Sequence, residues 1–187
     1  MTAALEAPPL ARAVAERSLT PSADPALTAA TKRLAAAAGE SLLGLLFFGS
    51  RRTGAAKADA FSAYDVFVVV TGYLPFYRAI RAAGCCAASR TARARVVDLP
   101  TLVRDTSPSR RDHFCAGRLF QPASLLFARD EATREALVAC LVSAVRETWT
   151  WARPWLPPSF TATGYGLSAL DTSLHFEVRP EPKGRAQ

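Results

Sequence analysis

The chain has 187 residues, 50% of them hydrophobic, which suffices for one globular domain of ordinary size with a buried core. Its formal net charge of +7 resides mostly on arginine and favours partners that bear phosphate, although a coding bias toward alanine and arginine explains it equally well. The longest apolar runs, at 42–48 and 66–70, are far shorter than the roughly 20 residues of a membrane span. We therefore expect a soluble or peripheral protein.

Cysteine usage bears on the redox compartment and on metal binding. The four cysteines are Cys85, Cys86, Cys115 and Cys140. Their spacing matches no paired metal-ligand motif, and an adjacent pair cannot easily chelate one ion. We expect reduced thiols in a cytoplasmic protein.

The N-terminal region predicts two helices. Residues 1–23 contain three prolines among scattered alanines, which indicates a loosely held arm with one short helix from Leu10 to Ser18. A longer helix follows, with Asp24 as its N-cap and Pro25 as its first helical residue. Its apolar face consists of Leu27, Ala30, Leu34 and Ala37, and Gly39 ends it. We expect this face to pack on the sheet that follows.

Two strands come next, from Leu42 to Phe48 and from Tyr64 to Val70. Both are nearly continuous apolar runs, a pattern typical of strands buried on both faces in the centre of a sheet. The tight turn Gly49–Ser50 ends the first strand, and the polar loop 51–62 leads to the second. The second strand carries one acid, Asp65.

This strand, turn and acidic strand together predict a site for a triphosphate. A turn of small residues lets backbone N–H groups approach phosphate, and a carboxylate on the neighbouring strand can hold a divalent metal beside it. Nucleotidyltransferases bind their nucleotides in this way. The usual pattern of that superfamily has two aspartates one residue apart on the second strand, whereas Asp65 is flanked at that spacing by Ala63 and Phe67. One carboxylate of the pair is therefore missing.

A third acid is a candidate to complete the set. A helix beginning at Pro75, with Phe76, Ile80 and Ala83 inward, ends near Gly84, and a third strand follows at Arg95 to Val97. Asp98 closes that strand. It is a candidate second metal ligand or a group that holds the attacking oxygen, although an aspartate at a strand end is more often a turn former.

The C-terminal half predicts an extended segment through Phe127 and a long helix capped by Asp130. The inward stripe of that helix contains Leu137, Cys140, Leu141, Ala144, Thr148 and Trp151. Residues 172–179 alternate as an edge strand does. We predict four segments, namely an arm at 1–23, an α/β domain at 24–127, a helix and strand packed on it at 128–181, and a disordered tail at 182–187.

The C-terminal half also carries a family resemblance. The segment Ala116–Leu119, with Pro122, Leu156–Pro157 and the group Ser173, Glu177 and Arg179, resembles the translocator-assembly-and-maintenance type of phosphatidate cytidylyltransferase over residues 42–181. Two positions depart from the family pattern, because Leu174 stands in place of a tyrosine and Glu177 in place of an aspartate. The resemblance implies an α/β (α+β) fold with the polymerase-beta-like mixed sheet of nucleotidyltransferases, flanked by helices.

The same resemblance implies a reaction. The family transfers a cytidylyl group from CTP to phosphatidate with Mg²⁺, giving CDP-diacylglycerol and pyrophosphate. The expected partners are CTP, phosphatidate and an anionic membrane surface, and no nucleic acid. Two alternatives stay open, which are nucleotide transfer to a protein or small-molecule hydroxyl, and a catalytically degenerate domain that binds a nucleotide or a partner.

Each candidate site residue has a functional and a structural interpretation. Asp65 is either the metal ligand or a buried acid neutralised by arginine, and Gly49 and Ser50 either hold phosphate or form an ordinary turn. Near the C-terminal end of the long helix, Trp149, Trp151 and Trp155 fit the core better than a membrane interface. The predicted phosphate-binding cations of the loop after the turn, which are alternatively solvated surface charges, are Arg51, Arg52 and Lys57. The resemblance adds Arg118 and Arg179, although Arg179 alternatively pairs with Glu177.

Overall fold

The computed structural model describes residues 9–20, 22, 24–53, 63–84, 92–152 and 154. Seven α-helices, one short 3-10 helix (Gly39–Ser41) and four strands lie in these ranges. The helices are α1 (Pro9–Ser18), α2 (Pro25–Ala38), α3 (Ser50–Thr53), α4 (Tyr73–Ala82), α5 (Leu99–Asp105), α6 (Phe114–Leu119) and α7 (Glu131–Ala152). The strands are β1 (Leu42–Phe48), β2 (Tyr64–Val70), β3 (Ala92–Asp98) and β4 (Ser124–Ala128).

The four strands form one mixed sheet in the order β3-β2-β1-β4. Strand β1 runs antiparallel to both β2 and β4, and β2 runs parallel to β3 through the crossover helix α4. The predicted mixed α/β arrangement with β1 and β2 in the centre is therefore confirmed. Every residue of β1 is buried, as its continuous apolar run predicts.

Side chains alternate along the central strands and build a core on each side of the sheet. Phe48 and Phe67 face the side covered by α1, α5, α6 and α7. Phe47 and Val68 face the side covered by α2 and α4. Because β2 alternates in the same way, Asp65 belongs to the side of Phe67.

Helix α7 approaches β1 closely at Gly44. A β-carbon on this glycine would lie 2.3 Å from Leu137 Cδ1 and 3.2 Å from the carbonyl oxygen of Phe127. The absence of a side chain at this position lets the long helix pack directly on the sheet. The predicted inward stripe of α7 is confirmed for its central residues, which are Leu137, Cys140, Leu141 and Ala144.

The predicted helix caps are also present. Asp24 accepts hydrogen bonds from the backbone amides of Ala26 and Leu27, and Asp130 accepts one from Thr133 at 2.8 Å. Helix α1 begins one residue before the predicted position, and its Val14 is buried in the core.

Two predictions in the C-terminal half were wrong. Trp151, predicted to lie in the core, is 53% exposed, whereas Trp149 packs partly buried against the core. The stretch before Phe127 is not extended throughout, since Phe114–Leu119 forms α6 and only Ser124–Ala128 forms a strand. The predicted strand at 172–179 and the tail at 182–187 lie outside the described residues, as does Trp155.

None of the helices in the described ranges combines the length and the apolar composition needed to cross a bilayer.

Candidate functional site

The carboxylate of Asp65 lies directly beside the turn at Gly49. Asp65 pairs with Phe48, the last residue of β1, so the start of β2 and the turn share one end of the sheet. A β-carbon on Gly49 would lie 2.8 Å from Asp65 Oδ2. Gly49 has a φ of +88°, a conformation that glycine adopts far more easily than other residues. Two predicted site residues are thus brought together.

The wall next to Asp65 is aromatic and basic. Phe48 and Phe67 stack there with ring centroids 5.0 Å apart, and Phe114 of α6 meets the Phe67 ring at 6.2 Å. Arg93 lies opposite Asp65 in the register of β2 and β3. The two side chains therefore emerge on the same side of the sheet. Arg95 places its guanidinium 5.4 Å from the centroid of Phe114.

Sequence reasoning missed these two arginines as members of the site. Arg93 and Arg95 are both exposed, and they alternate with alanine along an edge strand. A period-two pattern of arginine was the available signal, because it puts both charges on one face of β3. Together with Asp65 they form a surface on which an anionic ligand would meet cations beside one carboxylate.

Arg51 follows the turn and is held by an aromatic ring. Its guanidinium carbon lies 4.4 Å from the centroid of Tyr64, the residue before Asp65. The hydroxyl of Tyr64 donates a hydrogen bond to Asp24, the N-cap of α2. The cap of one helix, the start of β2 and the residue after the Gly49–Ser50 turn thus form one network.

Arg52 has a different environment. Its Nη2 donates to the carbonyl oxygen of Arg17 in the last turn of α1, at 3.3 Å. Its Nε is buried without a hydrogen-bond partner among the described residues. Burial and the nearby positive charge of Arg17 lower the pKa of Arg52. An anion bound here would relieve that unfavourable concentration of positive charge.

Asp98 does not belong to the same site. In the register of β2 and β3, Asp98 lies opposite Val70 at the far end of β2, whereas Asp65 lies opposite Arg93 near its start. At about 3.3 Å per residue, the backbones of the two aspartates are roughly 16 Å apart along the sheet. Asp98 instead accepts a hydrogen bond from the Thr101 amide at 2.8 Å and caps α5. The prediction that it joins Asp65 as a second metal ligand was therefore wrong.

Of the three other predicted cations, one lies in the described part of the chain. Arg118 lies half-buried on α6, the helix whose Phe114 contacts Phe67 on the Asp65 side of the sheet. Lys57 and Arg179 lie outside the described residues. Ser50 begins α3, directly after Gly49.

A divalent metal at this site would have one carboxylate from β2. Within the described ranges, no three or more side chains of histidine, cysteine, aspartate or glutamate lie close enough together to hold a metal ion. Magnesium is often bound by one or two carboxylates while substrate phosphates and water supply its other ligands. Asp65 fits that role as a single ligand beside the turn at Gly49.

The Asp24–Tyr64 hydrogen bond predicts a pH dependence of stability. This bond, followed by the amides of Leu27 and Ala26, lowers the pKa of Asp24 from its ordinary 3.8. The stabilising contribution is therefore present above that value and is lost as the pH falls through the lower folded-state pKa. We expect Asp24→Asn, which retains a good N-cap, to flatten the acid side of the curve of urea midpoint against pH. Parallel curves for the two proteins would contradict this assignment.

We predict that Tyr64 positions Arg51 for ligand binding. Replacing Tyr64 with leucine should weaken binding of Mg²⁺-CTP about threefold, since an exposed cation–π contact contributes about 0.5–1 kcal/mol. Tyr64→Phe keeps the ring and serves as the matched control. In calorimetric titrations, the effects of Tyr64→Leu and Arg51→Ala should not be additive, because both act through one contact. Additive effects would show that the ring does not act through Arg51.

Comparison with known proteins found no family model and no curated protein that matches this chain.

Proposed function

We propose that this protein is a Mg²⁺-dependent nucleotidyltransferase, and that CTP and phosphatidate are its substrates. The observation that carries the proposal is the position of the Asp65 carboxylate beside the strand-to-turn junction at Gly49. A tight glycine turn can bring backbone N–H groups to a triphosphate, and the adjacent carboxylate can hold the metal that accompanies it. Arg93, on the Asp65 side of the sheet, and Arg51, which follows the turn in the chain, supply positive charge for such a ligand.

In this proposal the protein's residues bind and orient the triphosphate. The turn after β1 receives the phosphates, with Arg93 on the Asp65 side of the sheet and Arg51, held by Tyr64, on the other side of the turn to contact their oxygens. Arg52 adds a positive charge, because it forms no ion pair with a carboxylate among the described residues. Asp65 would hold Mg²⁺, which when bound supplies neutralisation of the charge that develops on the phosphate oxygens.

The chemistry is a substitution at phosphorus. An oxygen of the phosphatidate phosphate forms a bond to the α-phosphorus of CTP while the bond to the leaving pyrophosphate breaks. No proton has to be abstracted from a phosphate oxygen that is already ionised, so the site needs no general base. Preorganised charge beside the reacting phosphates is therefore the main contribution expected of the protein.

The choice of CTP and phosphatidate rests on the resemblance of Ala116–Leu119 and the C-terminal residues, not on the geometry at Asp65. Nucleotide transfer to another acceptor would use the same turn and the same carboxylate. The polymerase-beta-like fold is part of the proposal too, and the mixed sheet with its central β1 and β2 is compatible with it.

One observation favours a second candidate function. Strand β2 carries a single carboxylate, Asp65, where the wider superfamily places two. A domain that binds a nucleotide without transferring it would show the same arrangement. It would bind Mg²⁺-CTP and release no pyrophosphate.

The direct test is incubation of the full chain with radiolabelled CTP, Mg²⁺ and phosphatidate in mixed micelles. We expect labelled CDP-diacylglycerol, with CTP preferred when all four nucleoside triphosphates are compared. An established phosphatidate cytidylyltransferase run in parallel is the positive control. Labelled product from a different nucleotide or acceptor would support transfer but contradict the substrate assignment, and binding without any product would support the degenerate domain.

A further inference from the structure

Phe114 is a partly exposed aromatic residue beside the candidate site. It is the first residue of α6 and is 42% exposed. The residues that follow it anchor the helix, because Cys115, Ala116 and Leu119 are buried. The amide of Phe114 donates a hydrogen bond to Asp112 Oδ1 at 2.8 Å. The backbone that carries the ring is therefore held in place, while much of the residue is open to solvent.

The ring also has a defined position against the sheet. It meets the ring of Phe67 at an interplanar angle of 75°, nearly edge to face. Phe67 lies two residues along β2 from Asp65 and on the same side of the sheet, so roughly 7 Å of strand separates them. The ring of Phe114 therefore borders the Asp65 side of the sheet, one side-chain step farther from the turn at Gly49.

Arg95 supplies hydrogen-bond donors beside this ring. In the register of β2 and β3 it lies opposite Phe67, just as Arg93 lies opposite Asp65. Its guanidinium carbon is 5.4 Å from the centroid of the Phe114 ring. Arg95 is exposed and forms no ion pair with another residue in the described part of the chain. Its N–H groups are therefore available to a ligand.

These positions fit the two ends of one nucleotide. In the proposed function the triphosphate occupies the turn and the metal lies at Asp65, and the ribose separates the base from the phosphates. We propose that Phe114 is the platform on which the nucleobase stacks, and that Arg95 hydrogen-bonds to the edge of that base. An aromatic ring can hold any base in this way, because every base has a flat π face. The inference rests on the proposed function and adds to it the residues that select the nucleotide.

The chemistry of the guanidinium favours cytosine over uracil. Arginine presents parallel N–H donors in a planar fork. Cytosine has two adjacent acceptors, O2 and N3, that such a fork can meet, whereas uracil has an N–H donor in place of the second acceptor. Uracil would set one donor against another although it is the same size as cytosine, and an unmatched polar group at a binding site is costly. Arg95 therefore contributes to a preference for CTP over UTP.

The test of the platform is calorimetric titration of the full chain with Mg²⁺-CTP and with Mg²⁺-tripolyphosphate, which carries the phosphates without a base. We expect Phe114→Leu to weaken binding of Mg²⁺-CTP about tenfold, a loss typical of a base–aromatic stack, and to leave the affinity for Mg²⁺-tripolyphosphate unchanged. Phe114→Tyr keeps the ring and should bind Mg²⁺-CTP like the wild type. Tyr77→Leu removes an aromatic ring from α4, on the opposite side of the sheet, and should leave both affinities unchanged.

Arg95→Lys separates recognition of the base from attraction of the phosphates. Lysine keeps the positive charge but lacks the planar fork. We expect the affinity for Mg²⁺-tripolyphosphate to stay at the wild-type value while the ratio of the CTP and UTP affinities falls at least threefold. Thermal unfolding of each variant checks that the fold is intact.

Three results would overturn this inference. These are wild-type affinity of Phe114→Leu for Mg²⁺-CTP, an equal loss of affinity for Mg²⁺-CTP and Mg²⁺-tripolyphosphate in that variant, or an unchanged ratio of CTP and UTP affinities in Arg95→Lys. Each of them leaves the proposed function standing, provided that Asp65→Asn weakens binding of Mg²⁺-tripolyphosphate. A wild type that binds neither Mg²⁺-CTP nor Mg²⁺-tripolyphosphate would instead contradict the triphosphate site, and the platform with it.

Discussion

Replacing Asp65 with asparagine is expected to lower kcat for nucleotide transfer by about 10³-fold, because a metal ligand contributes several kcal/mol of charge stabilisation in the transition state. Asparagine has nearly the same shape as aspartate, so the contact with Gly49 can persist while the negative charge is lost. The affinity for CTP without metal should change little. The measurement is pyrophosphate release at saturating CTP and Mg²⁺, with thermal unfolding recorded for the same preparations.

Asp98 provides the matched control for this substitution. It is also an aspartate at the end of a strand of the same sheet, but it caps α5 and lies at the opposite end from the turn. Asp98→Ala should cost about 1 kcal/mol of stability through loss of the cap and leave kcat nearly unchanged. Equal loss of activity in the two variants, or full activity of Asp65→Asn, would contradict the role given to Asp65.

The second large effect is expected at Gly49. Gly49→Ala introduces a β-carbon 2.8 Å from Asp65 Oδ2 and puts a non-glycine residue at a φ of +88°. The backbone change should destabilise the fold by about 1–2 kcal/mol, the usual cost of a left-handed conformation for an L-residue. The contact should also displace the carboxylate, so we expect binding of Mg²⁺-CTP to weaken at least tenfold in calorimetric titrations.

Gly39 separates the two causes. It also has a positive φ, of +52°, but a β-carbon there would meet nothing within 4 Å. Gly39→Ala should therefore show a comparable loss of stability with unchanged nucleotide affinity. If Gly49→Ala also keeps the affinity of the wild type, the turn and the carboxylate do not form one binding site.

The central part of the fold was predictable because local signals were strong and agreed with each other. The apolar runs of β1 and β2 have the length and continuity of buried strands, and the turn between them begins with Gly49. Helices α2 and α7 each follow an aspartate whose side chain caps the first turn. The same continuity made Asp65 conspicuous as the one acid on a buried strand.

Other features had a local signal that was overlooked. Asp98 caps α5, and Pro100 follows two residues later. Helix α2 is marked by the same combination of an aspartate cap and a proline. The burial of Cys115, Ala116 and Leu119 has the spacing of a helix face, which distinguishes α6 from an extended segment. Trp151 continues the stripe of α7, but it lies where the helix runs past the core.

The remaining features depend on tertiary contacts and could not be derived from local sequence. The hydrogen bond between Tyr64 and Asp24 joins residues 40 positions apart. The contact of Arg52 with the end of α1 spans 35 positions. The separation of Asp98 from Asp65 follows from the register of two parallel strands, which the spacing of the two residues along the chain does not reveal.

A single carboxylate limits the ways in which the site can hold a metal. With Asp65 as the one carboxylate of β2, and no group of three or more potential ligand side chains among the described residues, most of the coordination would come from phosphate oxygens and water. Metal and triphosphate would then bind together, each strengthening the other, because neither finds a complete set of partners alone. This coupling distinguishes the site from a surface that attracts phosphate through arginine only.

The most direct test is a crystal soaked with CTP and Mn²⁺ and examined for anomalous scattering. We expect one manganese peak at about 2.1 Å from an oxygen of Asp65, a distance typical of a small divalent cation, with the triphosphate against the turn at Gly49. A triphosphate bound elsewhere, or a manganese ion with no contact to Asp65, would contradict the proposed site.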